Sequence, residues 1–160
     1  MAPADARTAL ATEAWRAILD FISATAEQRT RLLADLGLSI SDSRALTTLE
    51  PGQGRSMGTL AETWSCDAST ATWIVDRLER KGFAERRSDP MDRRLRLAAL
   101  TPAGVAMRDE MLRRLYTAPA ELLGLDRTDL VALREGVSKL PPIPASGSGP
   151  RSARPAVKEI

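Results

Sequence analysis

The residues best suited to chemistry in this chain are arginines and small polar groups between residues 69 and 94. A guanidinium offers several N–H donors that suit phosphate, and hydroxyls or an indole can reach the edges of bases. The whole chain has 23 basic and 21 acidic residues, so its net charge of +2 provides no general attraction to nucleic acid. Any affinity for DNA must come from local placement of these side chains. The candidates for DNA contact are Ser69, Thr70, Thr72, Trp73, Arg77, Arg80, Arg93 and Arg94.

Composition argues against an enzyme. The chain has no histidine and one cysteine, Cys66, which excludes an internal disulfide, a Cys/His zinc site and a histidine general base. Carboxylates such as Glu62, Asp67 and Asp76 fit helix-surface or capping positions better than a catalytic pair. We therefore predict a protein with no metal, no cofactor and no catalytic residues. Cys66 is predicted to be a small buried hydrophobe, because no cation adjoins it to activate the thiol.

The helix that must present these groups is predicted over residues 68–81. Its buried stripe consists of residues at helical spacing: Ala71, Ile74, Val75 and Leu78. Asp67 is the predicted N-cap and Gly82 the stop. With a shorter helix carrying Leu60 and Trp64 before it, the pattern indicates a helix-turn-helix whose second helix enters a major groove. An ordinary amphipathic helix with a solvated face fits this segment equally well when it is taken alone.

A β-hairpin is predicted to follow, with strands at residues 83–87 and 95–100. Leu95 and Leu97 alternate with Arg96, which is the period of a half-buried strand. Arg93 and Arg94 then lie at the tip, where an arginine can enter a minor groove. Asp92 is predicted to orient one of these arginines. A charged surface turn is the alternative, and the preceding helix-turn-helix pattern favours a DNA-binding wing.

Several short segments between Leu60 and Gly104 together match the motif pattern of a known family without insertion or deletion. They are Leu60-Ala61, the run Ile74–Gly82, Glu85-Arg86, Asp89-Pro90-Met91-Asp92-Arg93-Arg94 and Leu100-Thr101-Pro102-Ala103-Gly104. In these segments the chain resembles the MarR family of dimeric winged helix-turn-helix transcription factors, over roughly residues 6 to 140. The resemblance implies that Arg94, in the family's wing motif Asp-x-Arg, enters a minor groove. It implies base contacts from Ser69, Thr70, Thr72 and Trp73, although Trp73 stands where the family often has a polar or basic residue. Trp64 is a second departure, since a smaller aliphatic residue is usual there.

The expected fold is mainly α with a small β-hairpin wing (α+β), in which a winged helix-turn-helix core adjoins a helical dimerisation bundle. Residues 6–36 are predicted to form one N-terminal dimerisation helix, bent or broken once. Residues 39–100 form the DNA-binding domain, with Ser41 and Ser56 as helix caps. Residues 101–140 supply the C-terminal dimerisation helices. Residues 141–160 are rich in Pro, Ser and Gly and are predicted to be a disordered tail.

These expectations favour a homodimeric regulator that binds double-stranded DNA at a pseudo-palindromic operator. By resemblance it is a ligand-responsive repressor, with a small aromatic or anionic effector bound near Trp15. The alternative is a winged-helix adaptor that binds a protein, for which Trp73 would be an anchor. No apolar run is long enough to span a membrane and no signal sequence is present, so we expect no membrane contact and a cytoplasmic location.

Overall fold

The protein folds as eleven helices and strands in the part of the chain that the structure, a computed structural model, describes: residues 3–89, 91–92 and 94–141. It is mainly helical with one small antiparallel sheet, which confirms the predicted fold class. In chain order the elements are α1 (Pro3–Ala24), α2 (Ala26–Asp35), α3 (Ile40–Thr48), β1 (Arg55–Ser56), α4 (Met57–Trp64), α5 (Ala68–Arg80), β2 (Ala84–Ser88), β3 (Arg96–Leu100), α6 (Pro102–Leu115), α7 (Ala120–Leu123) and α8 (Arg127–Ser138). None of the described helices is both long and apolar enough to cross a membrane. The predicted disordered tail lies outside the described residues, except for Pro141.

The predicted N-terminal helix is two helices with a break at Thr25. The Thr25 hydroxyl donates to the carbonyl of Phe21 at 2.8 Å, and Arg29 NH1 donates to the Thr25 hydroxyl at 2.8 Å. Such back-bonding by a threonine competes with regular helix geometry and bends the chain. Gly37 ends α2 as expected, in the left-handed conformation at φ +67°.

The helix-turn-helix consists of α4 and α5, joined by a turn in which Ser65 adopts φ +52°. Both predicted caps are confirmed, since Ser56 accepts from the backbone N–H of Thr59 and Asp67 from that of Thr70. Trp64 is buried at the end of α4, where its indole N–H donates to the hydroxyl of Thr48 at 3.2 Å. The core therefore has room for the larger side chain, and its indole N–H has a hydrogen-bond acceptor there.

The hairpin is part of a three-stranded sheet in the order β1-β3-β2. β1 was not predicted, because a two-residue strand is too short to leave a pattern in the sequence; Arg55 pairs with Ala98 and Ser56 with Leu97. The predicted alternation is wrong at Leu95, which lies before β3 and is 47% exposed. The buried residues of β3 are its last three, Ala98 to Leu100, which join the core formed with α2 to α6.

One close approach connects the hairpin to α6. Thr101 caps α6 by accepting from the N–H of Gly104 at 3.0 Å, and its hydroxyl donates to the carbonyl of Gly82 at 2.6 Å. A Cβ at Gly104 would lie 1.9 Å from the carbonyl oxygen of Phe83. Only glycine allows the first turn of α6 to pack this closely on the base of the hairpin.

The outermost helices, α1 and α8, leave large apolar side chains at the surface of the protomer. These side chains are between 37% and 67% exposed, and all of them except Leu10 recur on one face of their helix at helical spacing. On α1 they are Leu10, Trp15, Leu19 and Ile22; on α8 and just after it they are Leu130, Leu133, Val137 and Leu140.

Candidate nucleic-acid interface

The outer face of α5 carries most of the predicted DNA contacts. The stripe of Ala71, Ile74, Val75 and Leu78 is buried, as predicted, which turns the opposite face outward. Ser69, Thr70 and Arg80 are exposed, Thr72 is half-buried and Trp73 is 53% exposed. Small polar groups therefore stand at the start of the helix, an aromatic ring in its middle and a cation at its end.

The hydroxyls at the start of α5 are already used as donors. Thr70 donates its hydroxyl to Asp67 Oδ2 at 2.9 Å, and Ser69 donates its hydroxyl to Asp67 Oδ1. These hydrogen bonds, first that from Ser69 and then those from Thr70, hold the pKa of Asp67 well below its usual range. Because each hydroxyl proton points to the carboxylate, Ser69 and Thr70 present oxygen lone pairs to a partner, not donors.

Arg77 does not extend freely from the outer face. Its Nε donates to Asp42 Oδ1 at 2.7 Å, and its NH2 donates to the hydroxyls of Ser39 and Ser41, each at 2.8 Å. The guanidinium carbon also lies 4.2 Å from the ring centroid of Trp73. Sequence analysis assigned Arg77 to DNA contact, but the fold directs its guanidinium towards α3 and over the indole.

The carboxylate that receives Arg77 belongs to Asp42, whose side chain is 1% exposed. Asp42 also accepts from Lys81 Nζ and from the N–H of Ser39, both at 2.9 Å. Burial by itself raises the pKa of Asp42, but the hydrogen bonds from Ser39, Lys81 and Arg77 outweigh it and lower the pKa below 3.8. Asp42 is therefore a buried carboxylate that stays charged.

The same contacts correct the predicted cap of α3. The cap is Ser39, whose hydroxyl accepts from the N–H of Asp42 at 3.1 Å in a reciprocal capping box. Ser41 instead faces Arg77. The spacing Ser-x-x-Asp at residues 39 to 42 is a sequence signal for this box. The partnership with Arg77 had no such signal, because 35 residues separate the two side chains.

Sequence analysis also missed the residue that joins the wing to α5. Arg86, on β2, contacts Asp76 Oδ1 at 2.6 Å and also pairs with Glu79, one turn further along α5. Its side chain is 23% exposed, so the pair is partly shielded from water and salt. Arg86 fixes the base of the hairpin against α5.

The wing tip is held by carboxylates bonded to backbone N–H groups. Asp89 Oδ1 accepts from the N–H of Met91 at 2.7 Å, and Asp92 Oδ1 accepts from that of Arg94 at 3.0 Å. Asp92 was predicted to orient an arginine side chain; its contact in the described residues is with the backbone of Arg94. Arg94 is exposed, as are Arg87 and Arg96 on the strands, whereas Arg93 lies outside the described residues.

Trp15, the predicted effector contact, lies apart from these groups. It is 57% exposed on α1, beside a shallow open surface shared with Arg7, Ala11 and Thr12. All of these residues belong to one helix, so a single protomer offers a flat face there and no enclosed cavity. Cys66 packs against the core as predicted, but it is half-buried and not fully buried.

Comparison with known proteins supports the family that the motifs indicated. Residues 38–95 match the model of the MarR family. Comparison with curated protein sequences gives no match. YusO from Bacillus subtilis is 20% identical, with a TM-score of 0.68 over 82% of this chain and 94% of YusO. A point mutant of MepR from S. aureus, solved bound to an oligodeoxyribonucleotide, is 18% identical, with a TM-score of 0.63 over 78% of this chain and 94% of that chain.

A third solved structure is CouR from Rhodococcus jostii RHA1 bound to p-coumaroyl-CoA. It is 27% identical to this chain, with a TM-score of 0.55 over 76% of this chain and 89% of CouR. The two bacterial structures below 25% identity establish the fold, and the matched residues 38–95 contain α3, the helix-turn-helix and most of the wing. Residues 38–95 thus match the MarR family model, and the chain has a winged helix-turn-helix at its centre.

Proposed function

We propose that this protein is a transcriptional regulator that binds double-stranded DNA as a homodimer and reads a pseudo-palindromic operator. One observation carries the proposal: α5 turns its unburied outer face to solvent beside a wing that exposes Arg94. α5 is suited to a major groove, and Arg94 to the adjacent minor groove. Arg86 ties these two parts together, so they would approach DNA as one rigid unit.

Each predicted DNA contact receives a role in this proposal. Ser69, Thr70, Thr72 and Trp73 face base edges, and Arg80, which has no ion pair among the described residues, reaches phosphate. Arg94 and Arg93 serve the wing, with Asp92 fixing the turn that carries them. Arg77 is assigned to positioning, because its guanidinium is already bonded to α3.

Dimerisation is proposed to occur through the flanking regions, residues 6–36 and 101–140. The apolar stripes of α1 and α8 are too exposed to be satisfied within one protomer. Packing them against a second copy would bury them and place two α5 helices about 34–36 Å apart, one turn of DNA. An inverted repeat is the sequence that such a two-fold arrangement reads.

We further propose that the protein is a repressor whose DNA binding responds to a small aromatic or anionic effector. The open surface beside Trp15 and Arg7 would become enclosed if a second protomer packed on α1, which gives an aromatic and a cationic contact. An effector that binds one dimer geometry more tightly shifts the population towards it. CouR, bound to p-coumaroyl-CoA, is a structural relative with an aromatic ligand. The proposal places the protein with DNA in the cytoplasm and gives it no catalytic role.

The exposed indole of Trp73 supports the second candidate, a winged-helix adaptor that binds protein. Selection of binding sites from random duplex DNA with the purified full-length chain distinguishes the two. A regulator enriches an inverted repeat with half-sites one helical turn apart, whereas an adaptor enriches none.

Arg94→Ala provides the matched test on the selected site. It should weaken binding by about 1–3 kcal/mol, because it removes a cation from a narrow, negative groove. Arg31→Ala, which truncates an exposed arginine on α2, outside the wing and outside the apolar stripes of α1 and α8, removes the same charge and serves as control. Equal affinities of the two variants by fluorescence anisotropy at moderate salt would remove the wing from the interface.

A further inference from the structure

We propose that Asp42 and Arg77 are positioning residues that set base preference by holding Trp73 in one orientation on the outer face of α5. The inference rests on the proposed function and concerns the same interface. Neither side chain is placed against DNA. Both act through the indole, which is the large exposed apolar group of that face.

The first step is the fixation of the guanidinium. Asp42 Oδ1 and the hydroxyls of Ser39 and Ser41 accept from Arg77 at 2.7–2.8 Å, and all three acceptors belong to the first turn of α3 or its cap. A planar fork with its donors engaged in this way has one orientation. Because the guanidinium carbon lies 4.2 Å from the centroid of Trp73, that orientation also closes one face of the indole.

The second step is the fixation of α5 about its own axis. Asp42 bonds both Arg77 and Lys81, which are four residues apart and so lie one turn apart on the same side of the helix. Lys81 Nζ also donates to the carbonyl of Gly37 at 2.6 Å. Because both residues bond to the one buried carboxylate of Asp42, α5 cannot rotate about its axis without breaking a hydrogen bond. The residues that face outward are therefore fixed by Asp42.

The third step is the chemistry left to Trp73. With one face covered, the ring presents its other face and edge, and it is 53% exposed. An immobilised apolar surface in a major groove recognises the C5-methyl group of thymine, the apolar feature of a base edge. We infer that each half-site contains a thymine whose methyl group meets Trp73.

The test combines site selection with a chemical probe, applied to the wild-type chain, Arg77→Lys and Trp73→Ala. Lysine keeps the positive charge of Arg77 but cannot reproduce the fork or lie flat over the indole. Arg44→Lys is the matched control: Arg44 is also an arginine bonded between helices, and its side-chain hydrogen bond goes to the carbonyl of Thr63 at 3.2 Å, away from Trp73 and Arg77.

In the wild type, replacing the critical thymine with deoxyuridine should weaken binding about fourfold, the effect of one buried methyl group. In Arg77→Lys and Trp73→Ala, the thymine and deoxyuridine sites should bind with nearly equal affinity. Site selection with these variants should no longer enrich the thymine. The salt dependence of Arg77→Lys should stay that of the wild type, because the number of cations is unchanged. Arg44→Lys should retain the full fourfold penalty.

An unchanged thymine preference and deoxyuridine penalty in Arg77→Lys would overturn the inference while leaving the proposed function intact. No enriched site for the wild type would overturn the proposed function, and this inference with it. Acrylamide quenching in a Trp15→Phe background reports the orientation directly: Arg77→Lys should raise the quenching of Trp73, since Trp64 is buried. If Arg77→Lys does not fold, Ser41→Ala removes one of the two hydroxyls that hold NH2 and should lower the deoxyuridine penalty to a smaller extent.

Discussion

The reading head, residues 39–100, buries its large apolar side chains within one protomer, whereas the outer helices, α1 and α8, leave theirs exposed. In the reading head, Leu46, Leu49, Leu60 and Leu78 are fully buried, and the one buried carboxylate among the described residues has two cations and a backbone N–H as partners. On the outer helices, residues with the same periodicity remain exposed. Helical periodicity alone therefore does not tell whether an apolar stripe is buried within its own chain or needs a second one.

The largest effect is expected from Asp42→Asn, which breaks the interior of the reading head. It leaves Arg77 and Lys81 without their carboxylate and should lower the free energy of unfolding by about 2–3 kcal/mol. This is less than for a fully buried pair, because both cations retain some access to water. Chemical denaturation measures the difference. Glu27→Gln, which removes the exposed ion pair between Glu27 and Arg31, should cost under about 0.5 kcal/mol.

The pH dependence of this effect has a defined sign. The pKa of Asp42 is lower in the folded protein than its ordinary value of 3.8, so its contribution is complete above that value. It is lost as the pH falls below 3.8 and through the folded pKa. The stability difference between wild type and Asp42→Asn should thus be constant near neutrality and narrow only in acid. A difference that narrows between about pH 6 and 8 would contradict this account.

The second effect, Leu133→Glu, tests the outer helices. Leu133 is 43% exposed, so the change should leave the reading head folded. If α8 packs on a second copy, the variant should lose about 2 kcal/mol of association free energy, weakening the dimer about 30-fold. Sedimentation at several protein concentrations measures this loss. Thr128→Glu adds the same charge to the opposite side of α8 and should keep the wild-type dimer; equal association of the two variants would move the dimer interface elsewhere.

The smallest effect is expected from Ser56→Ala in the reading head. It removes the cap of α4 and should lower the free energy of unfolding by about 1 kcal/mol, while Ser56→Asn should restore most of it. Because this contact lies within one protomer, the loss should be the same at every protein concentration. Thermal unfolding at two concentrations checks this, and a concentration-dependent loss would mean that the reading head depends on the partner chain too.

Local features of the fold could be predicted from the sequence, and distant ones could not. The cap at Asp67, the stripe through Ile74 and Leu78, and the stop at Gly82 each depend on residues within a few positions of one another. The MarR motif placed the wing correctly as well. The direction of the Arg77 side chain depends on Asp42, which lies 35 residues earlier in the chain. Helical periodicity predicted that Arg77 lies on the outer side of α5, but it could not predict where the guanidinium points.

Short segments account for most of the other differences. β1 has two residues, and it is a strand only through its pairing with β3. One break in the N-terminal helix was predicted, but not its position at Thr25, where Arg29 donates two hydrogen bonds to the preceding turn that are visible only in three dimensions. The candidate site was therefore predicted as a set of residues, whereas the direction in which each side chain points was a property of the fold.

The glycine at the start of α6 determines how a mechanical signal could pass through the molecule. Since a Cβ at Gly104 would already overlap the carbonyl oxygen of Phe83, there is no gap to absorb a tilt of α6 towards the hairpin. The joint is stiff in that direction, and a torque on α6 is transmitted to the peptide group that precedes β2. In the proposed dimer, a change in the relative position of the two protomers would then displace the wing through a single backbone carbonyl, with no flexible linker in between.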